Sequence, residues 1–213
     1  MSGEDHGIVR AVLPAWIKDT DRIIAGLEAY AALLRKWNET QNLVSRETLP
    51  DLWRRHFADS LQLLTLMQGP PTSVLDLGSG AGLPAIPLAL ACPGALFTLV
   101  DSNSKKAAFL RAAGRELGLE LEVLAARVEI FDTDTFPDLD LITARAFAPL
   151  GELFEHCAPL WRADTRGLFH KGRQNRAEIA EALSRWRCDL LEHPSLIEPD
   201  SVILDVRRLE ERD

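Results

Sequence analysis

The chain has few of the residues that build disulfide frameworks or metal sites. Its 213 residues include three cysteines, Cys92, Cys157 and Cys188, and five histidines. The cysteines are far apart, none lies in a CxxC pair, and three cannot all be bridged within one chain, so we expect reduced, mostly buried thiols and a reducing compartment. The cysteines and histidines show no cluster with metal-ligand spacing, and we therefore expect no metal site.

Long apolar runs are also missing. No run approaches the roughly 20 residues that cross a bilayer, because charges, proline or glycine interrupt every candidate. The first ten residues, MSGEDHGIVR, carry acids where a secretory signal would have an apolar core. We expect a cytoplasmic protein that does not act at a membrane.

Positive charge is not in excess. The 24 Lys and Arg against 32 Asp and Glu give a formal net charge of -8. Because indiscriminate nucleic-acid binding is mostly phosphate neutralisation, this balance argues against it but leaves room for a local basic surface. The candidates for such a surface are Arg54, Arg55, Lys105, Lys106, Arg111 and the stretch HKGRQNR from His170 to Arg176.

The first third of the chain shows helical patterns. Residues 21–37 carry apolar side chains at helical spacing, at Ile23, Leu27, Tyr30, Leu34 and Trp37. A second helical pattern runs from about residue 48 to residue 67, with Leu49, Leu52, Trp53, Phe57, Leu61 and Leu64 facing inward. Pro70 and Pro71 follow. We place a boundary there, with a helical segment, 1–70, packing on a second domain, 71–213.

Beyond residue 71 short β-rich runs alternate with helical stretches. The runs are SVLDLG, LFTLVD, LEVLAA, LDLITA, GLFHKG, CDLLEH and SVILDVRRL. This alternation predicts an α/β fold: a doubly wound, mostly parallel sheet with helices on both faces, ligands at the carboxyl ends of its strands, and a terminal hairpin formed by the last two runs.

A glycine-rich stretch, DLGSGAG, follows the first of these strands. Glycines at 78, 80 and 82 let the backbone turn sharply and let a ligand lie against it without meeting a Cβ atom. A dinucleotide site has the spacing G-x-G-x-x-G, but position 83 here is Leu. Asp76, just before the loop, suits a cationic ligand without phosphate, and S-adenosylmethionine is such a ligand.

A second acid, Asp101, ends the next strand. A carboxylate at that position can accept hydrogen bonds from both ribose hydroxyls, which NAD and S-adenosylmethionine share, so Asp101 alone does not distinguish them. Together with the spacing of the glycines, the acids favour a methyl donor. An NAD-dependent oxidoreductase stays an alternative that the missing G-x-G-x-x-G opposes.

The fourth strand runs into TARAFAPL, which contains Arg145. This stretch has neither the Asn/Asp-Pro-Pro-aromatic loop that serves exocyclic amines nor a cysteine that would attack a base. An acceptor with an exposed lone pair, such as N7 of guanine, needs neither. Direct attack of N7 on the sulfonium methyl leaves no proton to remove, so we assign no catalytic base. Arg145, after an apolar strand, needs a partner, and we expect Asp76 or a cofactor carboxylate.

His56, Asp59 and Ser60 fall on one helical face. A hydrolytic triad also needs an aimed base and an oxyanion site, which three residues of one helix rarely supply. We expect this polar face to anchor the helical segment to the second domain, with a role toward the substrate as the alternative.

The motifs together resemble the bacterial 16S ribosomal RNA guanine-N7 methyltransferase family, RsmG, also called glucose-inhibited division protein B. The matching stretches span almost the whole chain: WNETQNLV, RRHFADSL, VLDLGSGAGLPAIPLAL, LVDSNSKKAAFL, ARVE, ARAFAPL and HKG. The resemblance implies a seven-stranded, Rossmann-like methyltransferase fold with helices ahead of it. It also implies transfer of a methyl group from S-adenosyl-L-methionine to one guanine of 16S ribosomal RNA, leaving S-adenosyl-L-homocysteine. The partner would be that RNA or the small-subunit particle.

Site residues follow from the resemblance and from the residue arguments together. By position, the resemblance implies that Gly78 and Leu83 line the cofactor, that Val128 and Glu129 lie along its adenine end, and that Arg145 borders the pocket. The full set of cofactor candidates is Asp76, Gly78, Gly80, Gly82, Leu83, Asp101, Val128, Glu129 and Arg145. Arg145 and Lys171 are the candidate contacts to the substrate, and the RNA-binding candidates are Arg54, Arg55, His56, Lys171 and Arg173.

One position departs from the family pattern. Where the family has L-P-G-I-P-L, this chain has Ala85, which puts only the closeness of helix packing in doubt. We expect a monomer. A methyltransferase acting on a protein or small molecule and a non-catalytic ribosome-assembly factor of the same fold are the alternatives.

Overall fold

The computed structural model describes residues 3–132, 134–136, 139–172 and 175–212. In these ranges seven strands form one sheet in the order β3-β2-β1-β4-β5-β7-β6. The strands are β1 Ser73–Leu77, β2 Leu96–Val100, β3 Leu121–Leu124, β4 Leu141–Arg145, β5 Arg166–Lys171, β6 Trp186–Pro194 and β7 Val202–Glu211. The first five pair in parallel, and β7 pairs antiparallel with both β5 and β6. The predicted mostly parallel sheet and terminal hairpin are confirmed.

Helices cover both faces of this sheet. They are α1 Gly3–Val12, α2 Thr20–Asn38, α3 Asp59–Leu61, α4 Ala85–Ala91, α5 Ser104–Leu117, α6 Leu150–Cys157 and α7 Asn175–Arg185. Successive side chains of a strand point to opposite faces. In β1, Val74 accordingly joins the apolar cluster that contains α2, α4 and α5 residues, whereas Leu75 and Leu77 join the cluster that contains α6 and α7 residues. This two-sided burial explains the near-continuous apolar runs of the sequence.

The N-terminal helices pack on the α4 and α5 side. Ile23, Leu27 and Leu34 of α2 are buried in the same apolar cluster as residues of α4 and α5, as the helical spacing predicted. Close approach is possible because α2 has Gly26 facing α4, where a Cβ atom would lie 2.5 Å from Leu90 Cδ2. The helical segment therefore shares its core with the sheet.

The second helical pattern is not one regular helix. It is divided into a 3-10 turn at Leu49–Asp51, a π-helical turn at Trp53–Ala58, α3, and a 3-10 turn at Gln62–Leu66. The Asp59 N–H donates to Arg54 O, five residues earlier, as in a π turn. The predicted apolar residues Leu52, Phe57 and Leu61 are buried, so the periodicity indicated the face correctly but not the helix type. We call residues 49–66 the composite helix.

Of the helices in the described ranges, none combines the length and the apolar character needed to cross a membrane.

Candidate active site

The glycine loop leaves the carboxyl end of β1 in the conformation that the sequence required. Gly78, Gly80 and Gly82 have φ angles of 66°, 55° and 83°, which residues other than glycine rarely adopt. A Cβ atom on Gly82 would lie 2.4 Å from Ile86 Cδ1, so this glycine also lets the loop pack against α4. The loop thus places backbone rather than side chains at the edge of the sheet.

Asp101, at the end of β2, is fixed by the backbone around it. Its Oδ2 accepts a hydrogen bond from the Gly80 N–H at 2.8 Å, and its Oδ1 accepts one from the Asn103 N–H at 2.8 Å. Asn103 in turn caps α5 by accepting from the Lys105 N–H at 2.9 Å. The carboxylate of Asp101 is therefore oriented before any ligand arrives.

A cavity of about 370 Å³ lies beside Asp101. We call it the Asp101 cavity; the residues used here that line it are Gly78, Asp101, Lys106, Arg127, Val128, Glu129, Ala146, Phe147 and Ala148. Four of the cofactor candidates, Gly78, Asp101, Val128 and Glu129, are thus brought together. Lys106 and Arg127 also line this cavity and were not among the cofactor candidates, although they lie within the stretches LVDSNSKKAAFL and ARVE of the resemblance.

The other cofactor candidates lie outside this lining. Gly80 and Gly82 belong to the glycine loop, and Leu83, which follows it, is buried. Ala85, the departure from the family pattern, is completely buried at the start of α4. The methyl group of Ala85 is therefore accommodated in the core.

Asp76 lies behind the glycine loop and is 1% exposed. Its Oδ1 accepts a hydrogen bond from Thr143 Oγ1 at 2.7 Å, while its Oδ2 has no hydrogen-bond partner among the described residues. Burial raises the pKa of Asp76 to about 7, although the hydrogen bonds from Thr143 and Ser79 oppose that shift. Asp76 therefore lines neither the Asp101 cavity nor the cavity at the ends of β4 and β5.

A second cavity, of about 290 Å³, lies at the carboxyl ends of β4 and β5. We call it the Arg145 cavity; the residues used here that line it are Arg55, Asp59, Arg145, Phe147, His170 and Lys171. The expectation that Asp76 pairs with Arg145 is wrong. Arg145 Nη2 lies 3.3 Å from Asp59 Oδ2 and donates to Arg55 O at 2.8 Å, because the composite helix brings both acceptors to the end of β4.

The two cavities share one wall, Ala146–Ala148, which follows β4. Ala146 has a φ angle of 51°, in the left-handed region that is uncommon for residues other than glycine. The Phe147 ring lies against the glycine loop, where a Cβ atom on Gly78 would come within 2.4 Å of Phe147 Cδ2. The sequence analysis quoted this stretch for Arg145 and missed Phe147.

The polar face of the composite helix anchors the segment to the sheet, as predicted. His170 Nε2 lies 2.9 Å from the backbone oxygen of Asp59, and Gln62 accepts a hydrogen bond from the Leu196 N–H at 2.7 Å. Ser60 Oγ donates to His56 O at 2.6 Å. Because the Ser60 hydroxyl is directed at the backbone of its own helix, the geometry offers no hydrolytic triad.

The RNA-binding candidates have different environments. Arg54 and Arg55 are exposed. His56 is 7% exposed, lies 2.9 Å from Thr48 Oγ1 through Nε2, and has a pKa lowered to about 4 by burial, a placement that does not favour contact with RNA. Lys171 donates from Nζ to Ala148 O at 2.8 Å and to Glu178 Oε1 at 2.6 Å. Arg173 lies outside the described residues.

Across the described ranges, His, Cys, Asp and Glu side chains form no group of three or more that could hold a metal ion. Cys92, Cys157 and Cys188 are free thiols, and burial raises the pKa of Cys92 to about 12.

Comparison with known sequences indicates a family. The family model described as rRNA small subunit methyltransferase G matches residues 23–200. The chain is 46% identical over 192 residues to a Ribosomal RNA small subunit methyltransferase G of Rhizobium meliloti (strain 1021), covering 87% of this chain and 89% of that protein. It is 41% identical over 208 residues to the protein of that name in Brucella ovis, covering 94% and 93%.

Comparison with solved structures shows the fold. The precorrin-6y C5,15-methyltransferase of Geobacter metallireducens superimposes with a TM-score of 0.53 at 12% identity, over 79% of this chain and 92% of that chain. The ribosomal protein L11 methylase of Lactobacillus delbrueckii superimposes with a TM-score of 0.54 at 18% identity, over 72% and 78%. The seven-stranded, Rossmann-like methyltransferase fold is therefore shared with distant proteins.

Proposed function

Since the chain belongs to the rRNA small subunit methyltransferase G family, it is an S-adenosylmethionine-dependent rRNA methyltransferase, and we propose that its acceptor is N7 of one guanine in 16S ribosomal RNA. The observation that carries the proposal is the pair of cavities at the carboxyl edge of the sheet, which share residues 146–148 as lining. A donor in one cavity and an acceptor in the other would face the same short wall. The family relationship favours this enzyme over the oxidoreductase alternative.

The residues of the Asp101 cavity fit the cofactor. Asp101 offers a carboxylate already oriented by two backbone N–H groups, which suits the two ribose hydroxyls. Gly78 presents backbone where the reactive end of the cofactor would lie, and Val128 and Glu129 would flank the adenine. When bound, S-adenosylmethionine supplies a methyl group on a sulfonium centre. The chain's own task is then to hold the ribose and adenine so that this group faces residues 146–148.

The residues of the Arg145 cavity suit an acceptor that needs orientation rather than deprotonation. Methylation of guanine N7 releases no proton, so no general base is needed. His170, the imidazole in this cavity, is engaged by Asp59 O, and burial lowers its pKa. We propose that Arg145 lies along the acceptor base and that the cavity excludes water around it.

We propose that the RNA approaches over Arg54 and Arg55, the exposed cations of the composite helix nearest the Arg145 cavity. Arg54 Nη2 donates to Ile197 O at 2.8 Å, and Arg55 Nε lies 3.8 Å from Glu198 Oε1. Arg55 and Glu198 both line the Arg145 cavity, and Arg54 precedes Arg55 on the composite helix. Arg173, two residues after β5 in the sequence, belongs to the same proposed set.

Arg55→Ala should raise the concentration of small subunits that half-saturates the enzyme and reduce its dependence on salt by about one phosphate contact. The rate at saturating subunits should change little, because phosphate contacts position the RNA. Arg208→Ala is the control, since Arg208 is an exposed arginine of β7 beyond the start of β5. Equal salt dependence in both variants would contradict the proposed approach.

The experiment that tests the function is mass-spectrometric mapping of modified guanines in ribosomal RNA from cells with and without this protein. We expect one N7-methylguanosine to be lost from 16S RNA and restored by the purified protein. Parallel reactions with assembled subunits, naked RNA and protein would identify the substrate form. Binding of S-adenosylmethionine without any methylated product would instead favour an assembly factor of the same fold.

We further propose that the protein acts as a monomer in the cytoplasm. Residues of this one chain line both cavities, which is in keeping with a monomer. The three free thiols are in keeping with a reducing compartment. Sedimentation with and without subunits would test the monomer.

A further inference from the structure

The wall between the two cavities is held at its far end by a partly buried clamp. Lys171, the last residue of β5, donates from Nζ to Ala148 O at 2.8 Å and to Glu178 Oε1 at 2.6 Å. The same Glu178 oxygen accepts the Leu150 N–H, at the start of α6. The Lys171 and Glu178 side chains are 12% and 26% exposed. One ion pair therefore holds both ends of the turn from Ala148 to Leu150.

We propose that Lys171 and Glu178 are positioning residues for methyl transfer, acting through residues 146–148 rather than by binding RNA. This inference rests on the proposed function, since it assigns donor and acceptor to the two sides of that wall. It differs from the expectation that Lys171 contacts the RNA substrate directly. Both acceptors of the Lys171 ammonium lie within the protein.

The wall needs such support because its conformation is uncommon. Ala146 is left-handed, and a residue other than glycine keeps that conformation only when its surroundings hold it. At the near end, the Phe147 ring is held against Gly78 and lies 5.5 Å from the His156 ring. At the far end the Lys171 clamp fixes Ala148. Two contacts hold Phe147 in position between the cavities, its own packing against Gly78 and the clamp on Ala148. Without the clamp, only the first of them is left.

Glu178 makes the proposal testable because the two roles of Lys171 predict changes in different quantities, RNA binding in one case and the rate of methyl transfer in the other. If Lys171 attracts RNA by its charge, removing the negative charge in Glu178→Gln should strengthen RNA binding or leave it unchanged. If Lys171 clamps the wall, Glu178→Gln should slow methyl transfer. Glu178 itself does not line the Arg145 cavity or the Asp101 cavity.

The experiment measures methylation of small subunits by the full-length protein as a function of subunit concentration. Lys171→Met and Glu178→Gln should each lower kcat by up to about a hundredfold, the effect of a misplacement of about 1 Å, with little change in the half-saturating subunit concentration. The double variant should be no slower than the slower single variant, because both changes break one clamp. Amide exchange at residues 146–148 should become faster in all three.

A matched control comes from the same two helices. Glu155 of α6 forms an ion pair with Arg185 of α7 on the surface, and Glu155→Gln should keep wild-type kcat. Thermal melting and calorimetric binding of S-adenosylmethionine establish that each variant is folded. If Lys171→Met does not fold, Glu178→Gln alone decides the question.

Three outcomes would overturn the clamp. They are wild-type or higher kcat in Glu178→Gln, a defect of Lys171→Met confined to the half-saturating subunit concentration, and additive effects in the double variant. Failure of the proposed function is distinguishable, because the wild-type protein would then form no N7-methylguanosine in the same assay.

Discussion

At the scale of single residues, Asp101 shows how backbone groups can orient a carboxylate. Gly80 and Asn103 each donate one N–H to it, which leaves one further lone pair on each oxygen for a ligand. The sequence indicated this residue from its position after an apolar strand. The hydrogen bond from the glycine loop could not be inferred, because it depends on how that loop turns back toward β2.

Asp101→Ala should weaken binding of S-adenosylmethionine by at least about a hundredfold, because two hydrogen bonds to a charged acceptor are lost. Calorimetry with the purified protein measures the affinity. Glu122→Ala is the control, since Glu122 lies on β3 and accepts from Thr98 Oγ1 at 3.0 Å outside the Asp101 cavity. Unchanged affinity in Asp101→Ala would remove the ribose assignment.

Asp76 is the second residue with a distinct prediction, because burial raises its pKa to about 7. A raised folded-state pKa means that the folded chain holds the proton more tightly than the unfolded chain. The stability that Asp76 contributes is therefore present at low pH and decreases as the pH rises from about 4 to 7. Relative to an uncharged side chain, Asp76 should be unfavourable at pH 8.

The measurement compares wild type with Asp76→Asn by denaturant unfolding between pH 5 and pH 8. The unfolding free energy of wild type minus that of Asp76→Asn should fall with increasing pH, by a few kcal/mol at most. The variant keeps an oxygen to accept the Thr143 hydroxyl. A difference that is constant or rises with pH would show that the carboxylate is ionised in the folded protein throughout this range.

At the scale of elements, the glycine loop and the wall after β4 support each other. The loop has no room for a Cβ atom at Gly78 because the Phe147 ring occupies that space. The spacing of the glycines indicated a tight turn beside a ligand. It did not indicate that the Phe147 ring, from the turn after β4, packs against Gly78.

Gly78→Ala should destabilise the fold and weaken cofactor binding, because it adds both left-handed strain and a contact of 2.4 Å with Phe147 Cδ2. Gly118→Ala is a matched control: its φ of 64° is close to the 66° of Gly78, and no atom lies within 4 Å of its added Cβ. Gly118→Ala should cost about 1–3 kcal/mol from strain alone and keep the cofactor affinity. Thermal melting and calorimetry separate the two effects, and equal results for both variants would contradict the role of Phe147.

The composite helix shows the limit of periodicity at this scale. Apolar spacing located the buried residues of this segment. The π turn, however, changes the direction in which the polar side chains that follow it point. Asp59 comes directly after the π turn and lies beside Arg145 at the end of β4. No local sequence signal distinguishes a π turn from an α-helix here. Tertiary contacts select it, including the one between Asp59 and Arg145.

At the scale of the whole molecule, the helical segment and the α/β domain are joined through a common core. Residues of α1, α2 and the composite helix belong to the same buried cluster as α4, α5 and one face of the sheet. Specific bonds add to this packing: Tyr30 of α2 donates to Ala81 O in the glycine loop, and Arg166 of β5 donates to Leu66 O at 2.8 Å. We expect the two parts to unfold together.

Urea unfolding of the variant Trp161→Phe, Trp186→Phe tests this expectation. The remaining tryptophans, Trp16, Trp37 and Trp53, all lie in the N-terminal part. Their fluorescence therefore reports the folding of that part and its contact with α5, where the Trp37 and Phe109 ring centroids are 5.5 Å apart. The fluorescence midpoint should coincide with the midpoint from far-ultraviolet circular dichroism, which reports the whole chain. An earlier fluorescence transition would show that the helical segment unfolds independently of the sheet.

Local patterns in the sequence were sufficient for the alternation of strands and helices, the glycine turn, the acid at the end of β2 and the resemblance to a methyltransferase family. These features depend on nearest neighbours and on burial, which a linear sequence records directly. The partner of Arg145, the separation of two cavities by Phe147 and the Lys171 clamp were decided only by the tertiary structure. Each of them joins residues far apart in the chain, so which groups meet depends on the packing of the composite helix, α6 and α7 around the edge of the sheet.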